Sequence, residues 1–507
     1  MVGFPKRAAA AGLVVWLLVV GRGGRALGSG TIVTAGPEFQ VNTYTTSRQD
    51  GPSVAHMGAG GFVIAWSGNQ PMSAAFVDGV LIRVYDSTGG PVAEAEALVD
   101  VRDRHHNVEP VLATGSDGTF VVVWREYDRD DFPDDRLFLR KMDSRQRSVS
   151  EELQLADGDG GDFFASIESL DNDAFLVAWA REAPDVSSSA TSVVARGVRP
   201  NAEPRDDLGV LSSDPAALGT HPDLGRLSGN RVAAVWMELG ADGHRDGIVL
   251  RVVDSRGKPI NEPSVVNAYT TGVQQFPSIA TFPDGSFVVS WDGQGQSSAA
   301  RDIFGRRFDE DGRPVGADFR VNTYTTGDQS RSRVVAVDKN RFAVFWFSDG
   351  QDGSGRGVFG REFSWATQDA GSEFQVNSYT TGDQGFDGLD ASSDGLGQVV
   401  VVWSGRGDQD GDKSGIFARM YCEADFDQRR CGLPTRRLPR ESARQRPPIA
   451  GDALEVVRAA LGLTSCPFCE CDVDGNGRVT VSDALLLLHV AVGLPRDLEC
   501  PACCRDS

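Results

Sequence analysis

Between Asp472 and Asp483 the sequence reads DVDGNGRVTVSD. Counted from Asp472, side-chain oxygens fall at positions 1 (Asp472), 3 (Asp474), 5 (Asn476) and 12 (Asp483). Gly477 sits at position 6, where the chain must turn sharply, and Arg478 at position 7 offers its backbone carbonyl. Calcium is a hard cation that takes six to eight oxygens, and this spacing winds the backbone so that they converge. The expected cofactor is therefore Ca2+. The alternative is an ion-free capped helix behind an Asp-Gly turn.

A second chemistry lies in the cysteines. All eight follow residue 420: Cys422, Cys431, Cys466, Cys469, Cys471, Cys500, Cys503 and Cys504. CPFCEC precedes the calcium loop and CPACC follows it. An even number packed into a short terminal region of an exported chain suggests disulfides, Cys422–Cys431 among the candidates. Two CPxC pairs also have the spacing of a zinc ribbon, so both readings stand.

Elsewhere the sequence is less pointed. In GRGDQDGDKSG (405–415), Asp408, Asp410 and Asp412 could ligate a second calcium, or form a solvated turn. Neither HExxH nor GxSxG occurs, and the six histidines show no metal spacing. A catalytic carboxylate pair is neither located nor excluded.

The calcium loop leads into SDALLLLHVAVGL (482–494), apolar around most of a helix, with Gly493 and Pro495 as stop signals and Thr480 with Asp483 as a capping pair. A twin, GDALEVVRAALGL, lies 31 residues earlier at 451–463. Loop, terminal Asp and paired helices resemble a type I dockerin, an EF-hand-like module of two such units. The resemblance implies a small α-helical domain, docking to a cohesin-bearing scaffold protein, and partner recognition through Val481 and Ser482. The first unit departs from the pattern. Glu441, Ala443, Gln445, Arg446 and Pro447 stand at its loop positions and cannot cage calcium. One ion is expected, not two.

Most of the chain is a repeat. Trp66, Trp124, Trp179, Trp236, Trp291, Trp346 and Trp403 end short β-branched runs such as GFVIAW and FVVSW, spaced 55 to 58 residues apart. Arg83, Arg140, Arg196, Arg251, Arg306, Arg361 and Arg419 follow 15 to 17 residues later in alternating segments such as LIRVYD. Segments such as EFQVN and short stretches such as PSVA make two further strands. Four strands repeated seven times predict a mainly β chain, a seven-bladed β-propeller, with an open array of β-sandwich modules as the rival. EFQVN at 38–42 precedes the first full repeat, while the last repeat ends without one. The N-terminal strand is thus expected to close the final blade and remove two open sheet edges. The Trp and Arg series are expected to hold blades together, with each Arg stacked on a Trp.

The repeats at five to seven resemble the VNTYTTGDQ and GQDGSG repeats of large bacterial surface and secreted proteins, which implies extracellular binding or adhesion. Lys6 and Arg7 precede an apolar run from Ala8 to Val20, with Ala26-Leu27-Gly28 as a cleavage site, the pattern of a signal peptide. Thirteen residues are short for a membrane span, so no span is expected in the mature chain, with an uncleaved anchor as the alternative. A formal charge of -21 argues against nucleic acid. The expected organisation is signal peptide (1–28), propeller (29–422), Arg/Pro-rich linker (423–448) and dockerin-like module (449–507). The first functional reading is a secreted, non-catalytic binding protein whose propeller face takes a glycan or surface protein. The second is a dockerin-bearing polysaccharide hydrolase with its active site on the propeller.

Overall fold

In a computed structural model, residues 32–423 are described, apart from loop positions 59, 70–77, 101–104, 128–134, 157–160, 183–189, 213–217, 296–299, 366–369, 407–408 and 412. The signal segment, nearly all of the linker, the dockerin-like module, its calcium loop (Asp472, Asp474, Asn476, Arg478, Asp483) and Val481–Ser482 lie outside the described residues. So do seven of the eight cysteines. Cys422 is the penultimate residue of the last strand, Ser414–Glu423.

The seven repeats form seven antiparallel sheets. In each of the first six, an inner strand pairs with the Trp strand, the Trp strand with the Arg strand, and the Arg strand with a short outer strand. The inner strands are Gln49–His56, His106–Thr114, Asp162–Ser169, Gly219–Arg226, Gln274–Thr281, Gln329–Asp338 and Gln384–Ser393. The seventh blade is completed by the N-terminus as expected. Phe39 and Gln40 pair with Ala418 and Phe417, and Ile32–Thr34 continues along the same strand as far as Glu423.

The seven tryptophans are fully buried, each in a cluster shared by two adjacent blades. The β-branched runs fill these clusters because the middle strands are covered on both faces. An indole N–H still needs an acceptor when buried. In five blades it finds one 17 residues upstream, at the start of the inner strand: Gln49, Asn107, Asp162, Gln274 or Gln329.

The arginine series does not stack on the tryptophans. Each guanidinium instead bonds a carbonyl at the end of the outer strand of the preceding blade. The acceptors are Val41, Val99, Leu155, Leu211, Val266 and Val321, at 2.6–2.8 Å, and Val376. In three blades the guanidinium also lies over the aromatic residue two positions on: Arg83 on Tyr85, Arg306 on Phe308 and Arg361 on Phe363. Arg83 is the register partner of Ile64, two positions along from Trp66, whereas Tyr85 lies two positions on in the arginine's own strand and shares its face.

Candidate functional site

The inner strands surround a central channel of about 1000 Å³. Each is an edge strand facing the channel, and each is broken near its start by a register shift. In six blades one residue at the break has positive φ: Gly51 (59°), Glu109 (53°), Phe164 (53°), His221 (52°), Phe276 (51°) and Arg331 (54°); the longer break of the seventh holds Gly385 (86°). Five of these are not glycine, so the left-handed backbone carries strain that the surrounding sheet sustains. A bulge re-aims a side chain. Here five bulges turn their side chains into the channel at one level. Four of the bulge residues precede a proline (Pro52, Pro110, Pro222, Pro277), which a strand tolerates only at an edge or bulge.

Blades three to five build an apolar wall. The His221 ring stacks on Phe164 with centroids 3.8 Å apart and meets Phe276 edge-on at 4.7 Å. The Arg331 guanidinium lies 5.0 Å from the Phe276 centroid and extends this wall into blade six. Burial, reinforced by Arg331 and Arg333, depresses the His221 pKa to about 3, so the imidazole is neutral.

Blades one and two build a polar wall. Glu109 Oε1 meets an Arg125 Nη at 3.1 Å, and Arg125 also reaches Asp135 at 3.5 Å. Arg48 pairs with Asp50 Oδ2. Three buried atoms on this wall have no well-formed hydrogen bond within the protein: Asp50 Oδ1, Glu109 Oε2 and Arg125 Nε. A buried polar atom without a partner is costly, so such atoms mark a place where another molecule's polar groups fit. The Glu109 side chain keeps 41% of its exposure because it stands in the channel. The enclosing protein raises its pKa above the usual carboxylate range, with Asp135 adding to the rise. Arg125, the Phe164 amide and Arg331 oppose it.

Two other channel carboxylates are engaged by the fold itself. Asp223 accepts from Ser166 Oγ at 3.1 Å and the Ile279 amide at 3.0 Å. Asp390 accepts from the Val54 amide at 2.9 Å and pairs with Arg333 at 3.4 Å.

Of the residues singled out in the sequence, the Trp and Arg series lie between blades and away from this cup. In the proposed second calcium loop, Asp408 and Asp412 lie outside the described residues. Asp410 packs its carboxyl against Gly415, as Asp352 does against Gly357 and Asp242 against Gly247. Asp352 and Asp242 accept from the side-chain amides of Asn377 and Asn267, just beyond the outer strands, so this loop position has a structural task in those blades. No group of three or more metal-ligating side chains occurs among the described residues. Sequence reasoning missed the bulge residues. Their signal was present: the position before PSVA or PSIA varies between repeats while its neighbours recur.

No protein-family model matches the chain, and no curated protein matches it. Among solved structures, it is similar to a protein of unknown function from Dyadobacter fermentans, 12% identical over 69% of this chain and 100% of that one, with a TM-score of 0.44. It is also similar to the Penicillium chrysogenum α-L-arabinanase complexed with arabinobiose, at 12% identity over 63% and 94% of the two chains and a TM-score of 0.44. A third is the GH93 α-L-arabinofuranosidase of Fusarium graminearum with arabinobiose, at 14% identity over 63% and 95%, again with a TM-score of 0.44. Identities this low bear on the fold alone, and the seven closed blades carry the propeller assignment by themselves.

Proposed function

We propose that this is an exported carbohydrate-binding protein that takes a sugar ring into the mouth of its propeller channel. One observation carries the reading: an aromatic wall of Phe164, His221 and Phe276 faces a polar wall with unpartnered atoms on Asp50, Glu109 and Arg125. A sugar ring has the matching chemistry, with apolar C–H faces and a rim of hydroxyls that both donate and accept. Concave sites with apolar linings and a few placed polar groups are the usual form of small-molecule sites.

The C-terminal module then serves as the anchor. One Ca2+ held by Asp472, Asp474, Asn476, Asp483 and the Arg478 carbonyl would order the loop, and Val481 and Ser482 would meet a cohesin-type partner. The sequence spacing supports this part of the reading.

Titration calorimetry of the full chain against a panel of neutral and acidic oligosaccharides tests the propeller site. Phe276→Ala is expected to weaken binding roughly 10-fold, about the worth of one stacking contact. Equal binding by parent and variant, or none to any sugar, would remove the carbohydrate reading and leave a protein ligand. Calcium titration of Asp474→Ala tests the tail, since unchanged calcium binding would show the loop assignment to be wrong.

A further inference from the structure

We propose that the channel cup also cleaves the glycosidic bond of its ligand, with Glu109 as proton donor and Asp50 as the base that activates water. This rests on the reading that the cup takes a sugar. It departs from the non-catalytic expectation drawn from sequence.

The pair is selected by what the other carboxylates are doing. Asp223 and Asp390 hold inner-strand amides, and Glu168 accepts from the amide and hydroxyl of Ser169. Asp78 is taken by Asn69 and His106. Asp50 and Glu109 each keep one buried oxygen without a well-formed bond. Asp50 is 8% exposed, so this is not a solvated surface carboxylate.

The two are also tied together by the backbone. Asp50 is the register partner of Ser67 across the first blade. Ser67 Oγ in turn accepts the amide of Glu109 at 3.1 Å, from the second blade. One serine thus fixes both chain segments at the same level of the channel. Beside Asp50 the bulge residue is Gly51, which places no side chain between the carboxylate and the channel.

Hydrolysis of an acetal needs opposite protonation states in two carboxyl groups. Glu109 Oε2 gives its proton to the glycosidic oxygen as the bond from the anomeric carbon to that oxygen breaks. The bonding electron pair stays with the departing oxygen. Water adds to the anomeric carbon and gives one proton to Asp50. Return of that proton to Glu109 through solvent restores the site, and the net reaction consumes one water. The groups facing Glu109 are Arg125 and Asp135 of its own blade, the Phe164 amide of the next and Arg331 across the channel.

The test uses the full chain with two probe sets: 4-nitrophenyl glycosides of common hexoses, pentoses and uronic acids in both anomers, and the matching unactivated oligosaccharides. Native protein is expected to turn over at least one sugar. Glu109→Gln should lose roughly 100-fold or more in kcat on the unactivated substrate and much less on the 4-nitrophenyl glycoside, whose leaving group needs no proton. Asp50→Asn should lose activity on both. A thermal melt shows that each variant is folded, and calorimetric sugar binding by native protein separates the two claims. Binding without turnover by native protein overturns the catalytic assignment and leaves the binding site standing. Turnover unaffected by Glu109→Gln also overturns it. Absence of binding removes the carbohydrate reading itself.

Discussion

His221 shows how far a single side chain can be taken from its behaviour in water. It stands at a bulge with φ of 52°, between two phenylalanine rings, with Arg331 and Arg333 nearby. Its pKa falls from 6.5 to about 3 because burial and two cations both oppose a charged imidazole. The unfolded chain takes up this proton below pH 6.5 and the folded chain does not. The stability tied to His221 is therefore fully present above pH 6.5 and is lost as pH falls toward 3, at up to about 1.4 kcal/mol per pH unit. Phenylalanine occupies the same bulge position at Phe164 and Phe276. His221→Phe should thus fold, and its urea midpoint should fall less than the parent's between pH 6.5 and pH 4. Parallel midpoint curves for the two proteins would contradict the burial of a neutral imidazole. In the sequence this histidine stands out only by having no metal spacing. Its role depends on a bulge and on two neighbouring blades, which no local pattern records.

At the level of the element, one blade grips the next through residues that the repeats display openly. Each outer strand offers a carbonyl to the following blade's arginine. In the repeats that carry the YTT motif, the next blade's acidic residue also binds the loop just beyond that strand. Glu96 accepts from the Tyr44 amide, Asp318 from Ala268 and Tyr269, Glu373 from Tyr324, and Glu38 from Ser378. The recurrence of E/D-F-x-V-N with YTT in the sequence is thus one contact seen from both sides. Strand number, strand order and ring closure were legible because a period of 55 to 58 residues with four apolar runs allows few arrangements. The arginine's partner was not legible, since a carbonyl acceptor has no side-chain signature. Arg361 bonds Val321 O at 2.7 Å and Gly371 O at 2.8 Å while covering Phe363. Arg361→Met keeps the stem against Phe363 and removes both bonds. It should cost about 2–3 kcal/mol, read by urea denaturation, because the Val321 carbonyl then loses its charged partner. Arg361→Lys should recover only part of this, since an ammonium lacks the planar fork.

For the whole molecule the decisive contact is the seam where the N-terminus meets the last blade. Ile32–Thr34 and Phe39–Gln40 cover the edge of Ser414–Glu423, which would otherwise present a row of unpaired backbone groups. The fastening goes beyond strand pairing. Val41 is fully buried with Val400, Val402 and Ile416, and its carbonyl receives Arg83 of the first blade. Asn42 Oδ1 receives the Ile416 amide, and the Ile32 amide reaches Glu362 Oε2 in the sixth blade. There Arg341, 4% exposed, joins Asp338, Glu362 and Glu423 at 2.6, 2.7 and 2.9 Å. Residues of this one short segment therefore touch blades one, six and seven. A chain beginning at residue 43 lacks every contact made by residues 32–42, while one beginning at residue 29 keeps them all. The shorter chain should melt at least about 10 °C lower, in line with a loss of several kcal/mol from a domain of this size. It should also self-associate through the uncovered strand, detected by light scattering at temperatures where the longer chain stays monodisperse. The channel cup should suffer with it, because Gln49 at the head of the first inner strand takes its amide contact from Ser414 of the last blade. If the shorter chain melted with the longer one, closure would reside in the Trp and Arg contacts between blades alone, and the N-terminal strand would be dispensable.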